Sequence, residues 1–373
     1  MFDLQTVFLL VTVFLGTVIS DAVLFGRSFR VQLSVPPTLV QRGLTNDAAE
    51  HLFTTELDKL DRVTTVLGVP TMGIVAKPTL LSAIGSLARA DAIVEVVQER
   101  IGMQTVSIKG VIVSQQQGPQ LDMYVMVSVP VGADIKIEVA QPDGDAPALI
   151  ERTARKLSEQ IAPYRTALLT YIDGRDSDPQ SVEQARLVAE AALARPWTSQ
   201  QALERFLLNN LLAIIALHDG DRAKADQYLE ASLYVPSVGK AAHALTALNR
   251  AVLAIADRKP AEAAEFLKEA HSMITETRAI KPHVEVVVAL QAWSEGNLVE
   301  AERLLRDSTT ILESNRDAHL YLARLYDQLG RTADAARERL LAREARDHAA
   351  EAPALISSEF WVDPVRGGLA LRR

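Results

Sequence analysis

The chain has 373 residues, 48% of them hydrophobic and 23% charged, with a net charge of −8 and no cysteine. That charge balance excludes a general nucleic-acid binder, which needs a surplus of Lys and Arg to displace counterions. The missing thiols exclude disulfides, thiolate metal sites and cysteine nucleophiles, and 5% aromatics beside abundant alanine favours closely packed helices over a large sheet.

Leu4 to Gly26 reads LQTVFLLVTVFLGTVISDAVLFG, with Asp21 as its only charge. Its length matches one crossing of a hydrocarbon core about 30 Å thick, so residues 1–27 are expected to form a transmembrane anchor helix. A cleaved signal peptide, cut after Ser20, is the alternative, although no basic residue opens the segment. Arg27 and Arg30 follow it with nothing positive before, a bias that favours a cytoplasmic large domain.

Residues 28–162 read as a small α/β domain. FRVQLSV (29–35) alternates and stops at Pro36-Pro37, as a strand does. Thr45 or Asn46 caps an amphipathic helix with Asp47 and Glu50 in its first turn. A second helical region spans about Leu80 to Arg100, and strands follow at 105–114, 121–129 and 134–140. A helix over Ala146–Ile161 carries Leu149, Ile150, Ala154 and Leu157 at helical spacing. This order gives a sandwich with helices on one sheet face. With the strand VSIKGVIV, it resembles the amino-terminal domain of TolB and related bacterial envelope proteins. That resemblance implies an envelope setting and carries over no site residues. It places the large domain on the periplasmic side of a bacterial inner membrane, against the arginine bias, so both orientations stay open.

From Leu203 the chain repeats itself. Gly220, Arg258, Gly296 and Gly330 align, 38, 38 and 34 residues apart. Five places later stand Ala225, Ala263, Ala301 and Ala335, and seven further on Ser232, Ala270, Ser308 and Ala342. Twelve places before each of the first alanines stand Ala213, Ala251, Ala289 and Ala323. Small residues at these spacings let two antiparallel helices approach closely across a glycine turn. One hairpin cannot bury its apolar face alone, so several must stack. A fifth, degenerate unit opens the array at Pro163-Tyr164, with Ala185 and Ala192 in its second helix.

This pattern over 163–350 resembles the tetratricopeptide repeat family, on the Gly-Asp and Gly-Asn turns and the three small positions. It departs from the family in three ways. Asn209, Ala247, Glu285 and His319 stand where a large first-helix aromatic is usual, Arg258 replaces one turn glycine, and the first three units are long. The expected fold class is thus α+β: a transmembrane helix, a small α/β sandwich and an all-α solenoid of helical hairpins. The resemblance implies a groove, lined by first-helix side chains, that holds a segment of a protein partner. Asn209, Asn210, Asn249, Arg250 and Glu285 are its candidate contacts, being polar where packing prefers apolar residues. In the tail, 351–373, Phe360-Trp361 are expected to cap the open end of the last hairpin. A partner-binding peptide or a mobile end are the alternatives.

No catalytic, cofactor or metal constellation is legible. No two of the seven histidines lie three or four apart, and no Gly-rich phosphate loop or nucleophile elbow occurs. His218 with Asp219 and Asp221 reads as a solvated or capping turn, and Asp173, Asp176 and Asp178 lack the rest of a calcium loop. The expected function is a membrane-anchored, non-enzymatic protein-interaction scaffold without small-molecule substrate. Two alternatives stand: an architectural envelope subunit assembling through the α/β domain, and an enzyme using Asp47, Glu50 and His51.

Overall fold

The computed structural model describes residues 27–61, 104–115, 118–128, 134–197, 201–274, 280–348 and 355–371. The expected anchor, up to residue 26, and the expected helix over 80–100 lie outside the described residues. No helix among the described residues is long and apolar enough to cross a membrane. The chain divides into two compact units, one ending at Ile161 and the other running from Ala162 to the C-terminus.

The first unit holds a four-stranded sheet in the order β1 (Arg27–Ser34), β2 (Gln104–Ser114), β3 (Leu121–Ser128), β4 (Ile135–Gln141). β1 pairs parallel with β2, and the other pairs are antiparallel. Alternation dictates the two faces. Leu121, Met123, Val125 and Val127 of β3 are buried, while Tyr124 and Met126 point outward. Helices cover the inner face: a single turn α1 (Pro37–Val40), then α2 (Asn46–Asp61) and α3 (Ala146–Ile161). Phe53 and Leu57 of α2 meet Leu149, Ile150 and Leu157 of α3 in the core over Ile108 and Met123.

Local polar bonds fix this layer. Asn46 Oδ1 accepts from Val35 N (3.0 Å) and a Glu50 carboxylate oxygen from Leu33 N (2.9 Å), so the start of α2 is tied to the end of β1. Thr45 Oγ1 accepts from Ala48 N, as a cap does. Glu50, considered above as part of an enzymatic cluster, is therefore committed to a backbone amide, and His51 is exposed. On the outer face, Val111, Val113, Tyr124 and Met126 are each about two-fifths exposed.

The second unit is five helical hairpins among the described residues. They are α4/α5 (Pro163–Gly174, Pro179–Leu193), α6/α7 (Ala202–His218, Arg222–Leu233), α8/α9 (Lys240–Ala256, Pro260–Ile274), α10/α11 (Lys281–Ser294, Leu298–Ile311) and α12/α13 (Arg316–Gln328, Thr332–His348). The four aligned turn residues share a left-handed backbone: φ is 78° at Gly220, 59° at Arg258, 82° at Gly296 and 73° at Gly330. In every copy the next amide closes back on the carbonyl five residues earlier, as in Asp221 N to Ala216 O and Lys259 N to Ala254 O. That closure is a Schellman termination, which satisfies a carbonyl that the helix end leaves free.

Ala213, Ala225, Ala251, Ala263, Ala289, Ala301, Ala323 and Ala335 are all buried, none more than 2% exposed. The serines at the second small position add polar ties. Ser232 Oγ lies 2.9 Å from Thr246 Oγ1, and Ser308 Oγ donates to Pro282 O (2.7 Å) while accepting from Asn315 Nδ2 (2.8 Å). One small side chain thereby joins its own hairpin to the next.

The C-terminal segment departs from expectation. Leu355 opens a four-residue helix α14 (Ile356–Glu359), followed by a short antiparallel ribbon of β5 (Phe360–Val362) and β6 (Leu369–Leu371). It does not cap the last hairpin, whose α13 keeps Leu340 exposed. Instead it lies along the first helices of several hairpins, because those helices offer it both apolar surface and backbone partners.

Candidate functional site

The face holding the C-terminal segment is assembled from three first helices. Tyr171 on α4 and Arg175, the residue that caps its C-terminus, stand four apart. On α8, Asn249 and Ala256 stand seven apart. On α12, Asp317, Tyr321 and Arg324 follow i, i+4, i+7. Each set forms one stripe along its helix. Asn249 and Tyr321 both stand two places before an aligned small residue, Ala251 and Ala323, so the repeat presents them at equivalent sites.

Backbone recognition comes first. Asn249 Oδ1 accepts from Ile356 N (2.9 Å), and the Tyr321 hydroxyl accepts from Val362 N (3.2 Å) and donates to Phe360 O (3.5 Å). Gly368 N donates to Ala256 O (2.7 Å). The approach at this turn is close: a Cβ on Gly367, whose φ is 78°, would sit 2.8 Å from Ala256 O and from the Arg258 stem. Arg258, the one non-glycine in the repeated turn, thus packs its side chain against the docked segment.

Side chains supply the rest. Leu355, Ile356, Phe360 and Val362 are buried and join the core of the helical unit. Trp361 meets Tyr321 edge to face (centroids 5.4 Å apart, 88° between planes), with the Arg324 guanidinium 4.5 Å over its ring. Such aromatic and cation contacts are directional as well as apolar. The Ser358 hydroxyl donates to the Asp317 carboxylate.

The one buried carboxylate of the segment is Glu359. Arg175 Nη1 lies 2.5 Å from both of its oxygens, and the Tyr171 hydroxyl donates to it at 3.4 Å. Burial opposes the Arg175 charge, yet Glu359 more than offsets this and lifts its pKa above the ordinary value. Burial, seconded by Glu359, also pushes the Tyr171 hydroxyl far up, so it remains a donor at any physiological pH. His218 positions the pair from behind: its Nε2 lies 3.2 Å from Arg175 O and its ring meets Tyr171 edge-on at 6.2 Å. A neighbouring buried imidazole, His283, has its pKa lowered by burial, with Asp317 opposing.

The five sequence candidates separate here. Asn249 touches the docked segment. Asn210 supports it, accepting from Asn249 Nδ2 (3.1 Å) while donating to Phe206 O. Asn209 is buried and donates to Arg205 O one turn back. Arg250 lies against the second helix of its hairpin, its guanidinium 4.3 Å over the Phe266 ring of α9. Glu285 sits within electrostatic range of Arg303 on α11. Arg250 and Glu285 are turned to second helices, where an aromatic face awaits the first and a guanidinium the second. Sequence reasoning missed Arg175, Asp317, Tyr321 and Arg324. The signal available for the last three was their common stripe on α12.

Elsewhere the acidic clusters resolve into caps and surface pairs. Asp178 accepts from Gln180 N and Ser181 Oγ at the start of α5, and these bonds hold its carboxyl below the usual range. Asp221 caps α7, and Asp219 pairs with Arg186 at 3.0 Å. No group of three or more metal-type ligands occurs among the described residues. A cavity of about 250 Å³ beside Arg186, Asp219 and Lys224 is smaller than the ~300–1,000 Å³ of ordinary ligand sites.

No protein-family model and no curated protein matches the chain. Among solved structures, PilF of Pseudomonas aeruginosa is similar at a TM-score of 0.36 and 18% identity, over 54% of this chain and 82% of that one. MamA of AMB-1 is similar at 0.29 and 16%, over 52% of this chain and 94% of that one. The resemblance of residues 29–162 to TolB finds no support among these comparisons.

Proposed function

We propose that this chain is a non-catalytic protein-interaction scaffold, held at a membrane by Leu4–Gly26, whose contact surface is the face formed by the first helices of its hairpins. One observation carries the reading: that face grips a peptide segment through both backbone and side chains, as a recognition surface does, and the segment is the chain's own. Stacked hairpins suit this role because each adds another stripe to one continuous surface.

Site-specific photo-crosslinking in intact cells tests it. A photoreactive residue in place of exposed Arg324 is expected to give adducts with other proteins, whereas one in place of Val299, exposed on α11, gives none. Adducts confined to the chain's own tail would sink the scaffold reading. For the setting, a bacterial inner membrane with the large domain periplasmic, protease added to intact spheroplasts is expected to digest the large domain. Protection would place it in the cytoplasm.

The outer sheet face favours a second reading, in which the α/β unit assembles copies of an envelope subunit. Val111, Val113, Tyr124 and Met126 form an exposed apolar patch on paired strands. On this reading Tyr124→Asp lowers the particle size in detergent, and an unchanged size removes it.

A further inference from the structure

We infer that the face occupied by Ile356–Val362 is a specific site for a partner segment of the same chemistry, and that the chain's own tail is its displaceable occupant. That chemistry is an apolar anchor, a carboxylate three residues on, and two aromatics directly after. The inference rests on the scaffold reading and adds to it the kind of partner.

The contacts divide as they do in peptide recognition. Asn249 and Tyr321 bind main-chain atoms, one at the start of the helical turn α14 and one in the strand β5, and so set the register without reading sequence. Sequence is read at two places. Arg175 and Tyr171 enclose a carboxylate, and a residue lacking that charge would leave the half-buried guanidinium only the looser contact with Asp176 at 3.9 Å. Arg324 and Tyr321 flank an aromatic ring on its face and its edge. A segment with Glu followed by Phe-Trp satisfies both at once, and the face is cationic where that segment is anionic or π-rich.

The occupant is built to leave. α14 has four residues and each ribbon strand three, lengths that do not hold a fold by themselves. Its order depends on the face, and the ordering entropy of its backbone opposes the burial of its four apolar side chains. Leu355 is joined to the array through residues 349–354, so the tail competes with any partner as a tethered ligand at high effective concentration.

The test uses the full chain in detergent and a fluorescein-labelled peptide of residues 355–371, read by anisotropy. In one chain the tail is weakened by Glu359→Gln with Trp361→Ala. The peptide is expected to bind this chain roughly tenfold or more tighter than wild type, because the competing cis occupant is removed. A peptide carrying Glu359→Lys should lose that binding and regain it on an Arg175→Glu chain. Equal binding to both chains, or binding to neither while circular dichroism shows them folded, overturns the inference. If the weakened chain does not fold, hydrogen exchange of Ile356 and Val362 in wild type reads the same competition. Saturating peptide speeds that exchange if the tail is displaceable, and unchanged exchange overturns the proposal. A wild-type chain that is dimeric in detergent and turns monomeric on Arg175→Glu makes a second copy the occupant and likewise overturns it. Crosslinks from position 324 to other proteins without any peptide binding remove this inference and leave the scaffold standing. Peptide exchange without any such crosslink removes the scaffold reading, and the inference with it.

Discussion

Within the helical unit, the seams between helices and the tail-bearing face are built on opposite plans. At the seams the chain repeats alanine or serine at fixed intervals, and every copy is buried with the same turn closing behind it. Along the tail-bearing face the residue types vary: Asn249 and Tyr321, at equivalent places in the repeat, each accept a backbone amide, while Tyr171 and Asp317 meet a carboxylate and a hydroxyl. Repetition here encodes packing, since every hairpin must nest on the next by the same geometry. Variation encodes recognition, since a peptide presents a different group to each helix it crosses.

The largest effect should come from disturbing the repeated plan. Ala251→Leu forces extra side-chain volume into a seam with no space for it, at a cost of about 1–3 kcal/mol. A shift of the helical urea midpoint to lower concentration checks this. An unchanged midpoint, like coordinates showing Ala251 in solvent, would break the packing argument. The non-repeated plan should respond differently. In Arg175→Ala, Glu359 loses its guanidinium but keeps the Tyr171 hydroxyl, and removing one partner of a buried ion pair costs at most about 3–5 kcal/mol. Unlike a seam residue, Glu359 can escape by undocking with its segment, so the global loss is limited to the docking free energy. Fast exchange of the Ile356 and Val362 amides, with a midpoint closer to wild type than that of Ala251→Leu, is the expected pattern. Equal midpoint losses in the two variants would erase the distinction between seam and face.

These two plans also differ in how far they can be read from sequence. The seam positions were legible because period is a property of sequence: Ala213 to Ala335 announce themselves by spacing alone. The strands of the α/β unit were legible for the same reason, through alternation. The docking of the tail was not, because its central ion pair joins residues 184 apart and no local pattern announces such a pairing. Asn249 was identifiable as a polar residue amid apolar neighbours. Tyr321 was hidden, since a tyrosine on a helix passes for core. For Arg250 and Glu285 the sequence shows their charge but not their neighbour within the chain, which here is Phe266 for one and the Arg303 side of α11 for the other.

Acid probes a group lying between the two plans. His283, buried near the start of α10 with no partner for its Nδ1, has its pKa depressed below the ordinary 6.5. The folded chain keeps it neutral while the unfolded chain takes up a proton as the pH falls below about 6.5. Stability from this site is therefore complete above that pH. It declines toward acid by about 1.4 kcal/mol per pH unit until the folded value is reached. Comparing urea midpoints at pH 7 and pH 5 should show a loss in wild type that His283→Asn reduces. An identical loss in the variant would assign the acid sensitivity to other groups.

The smallest expected change sits where seam and face meet. Arg258 holds the left-handed turn that glycine holds in the other three aligned copies, at φ 59°. A Cβ in that conformation costs roughly 1–2 kcal/mol, so on the seam plan alone Arg258→Gly should stabilise the hairpin by about that much. On the face plan the arginine is no blemish, because its stem packs on Gly367 of the docked ribbon, and that contact is lost in the variant. The two contributions oppose each other, so the melting temperature should rise only slightly while the Gly368 amide, bonded to Ala256 O, exchanges faster. A rise equal to the full turn penalty with no change at Gly368 would show that Arg258 does nothing for the tail. The repeat would then have lost its glycine for a reason unconnected to docking.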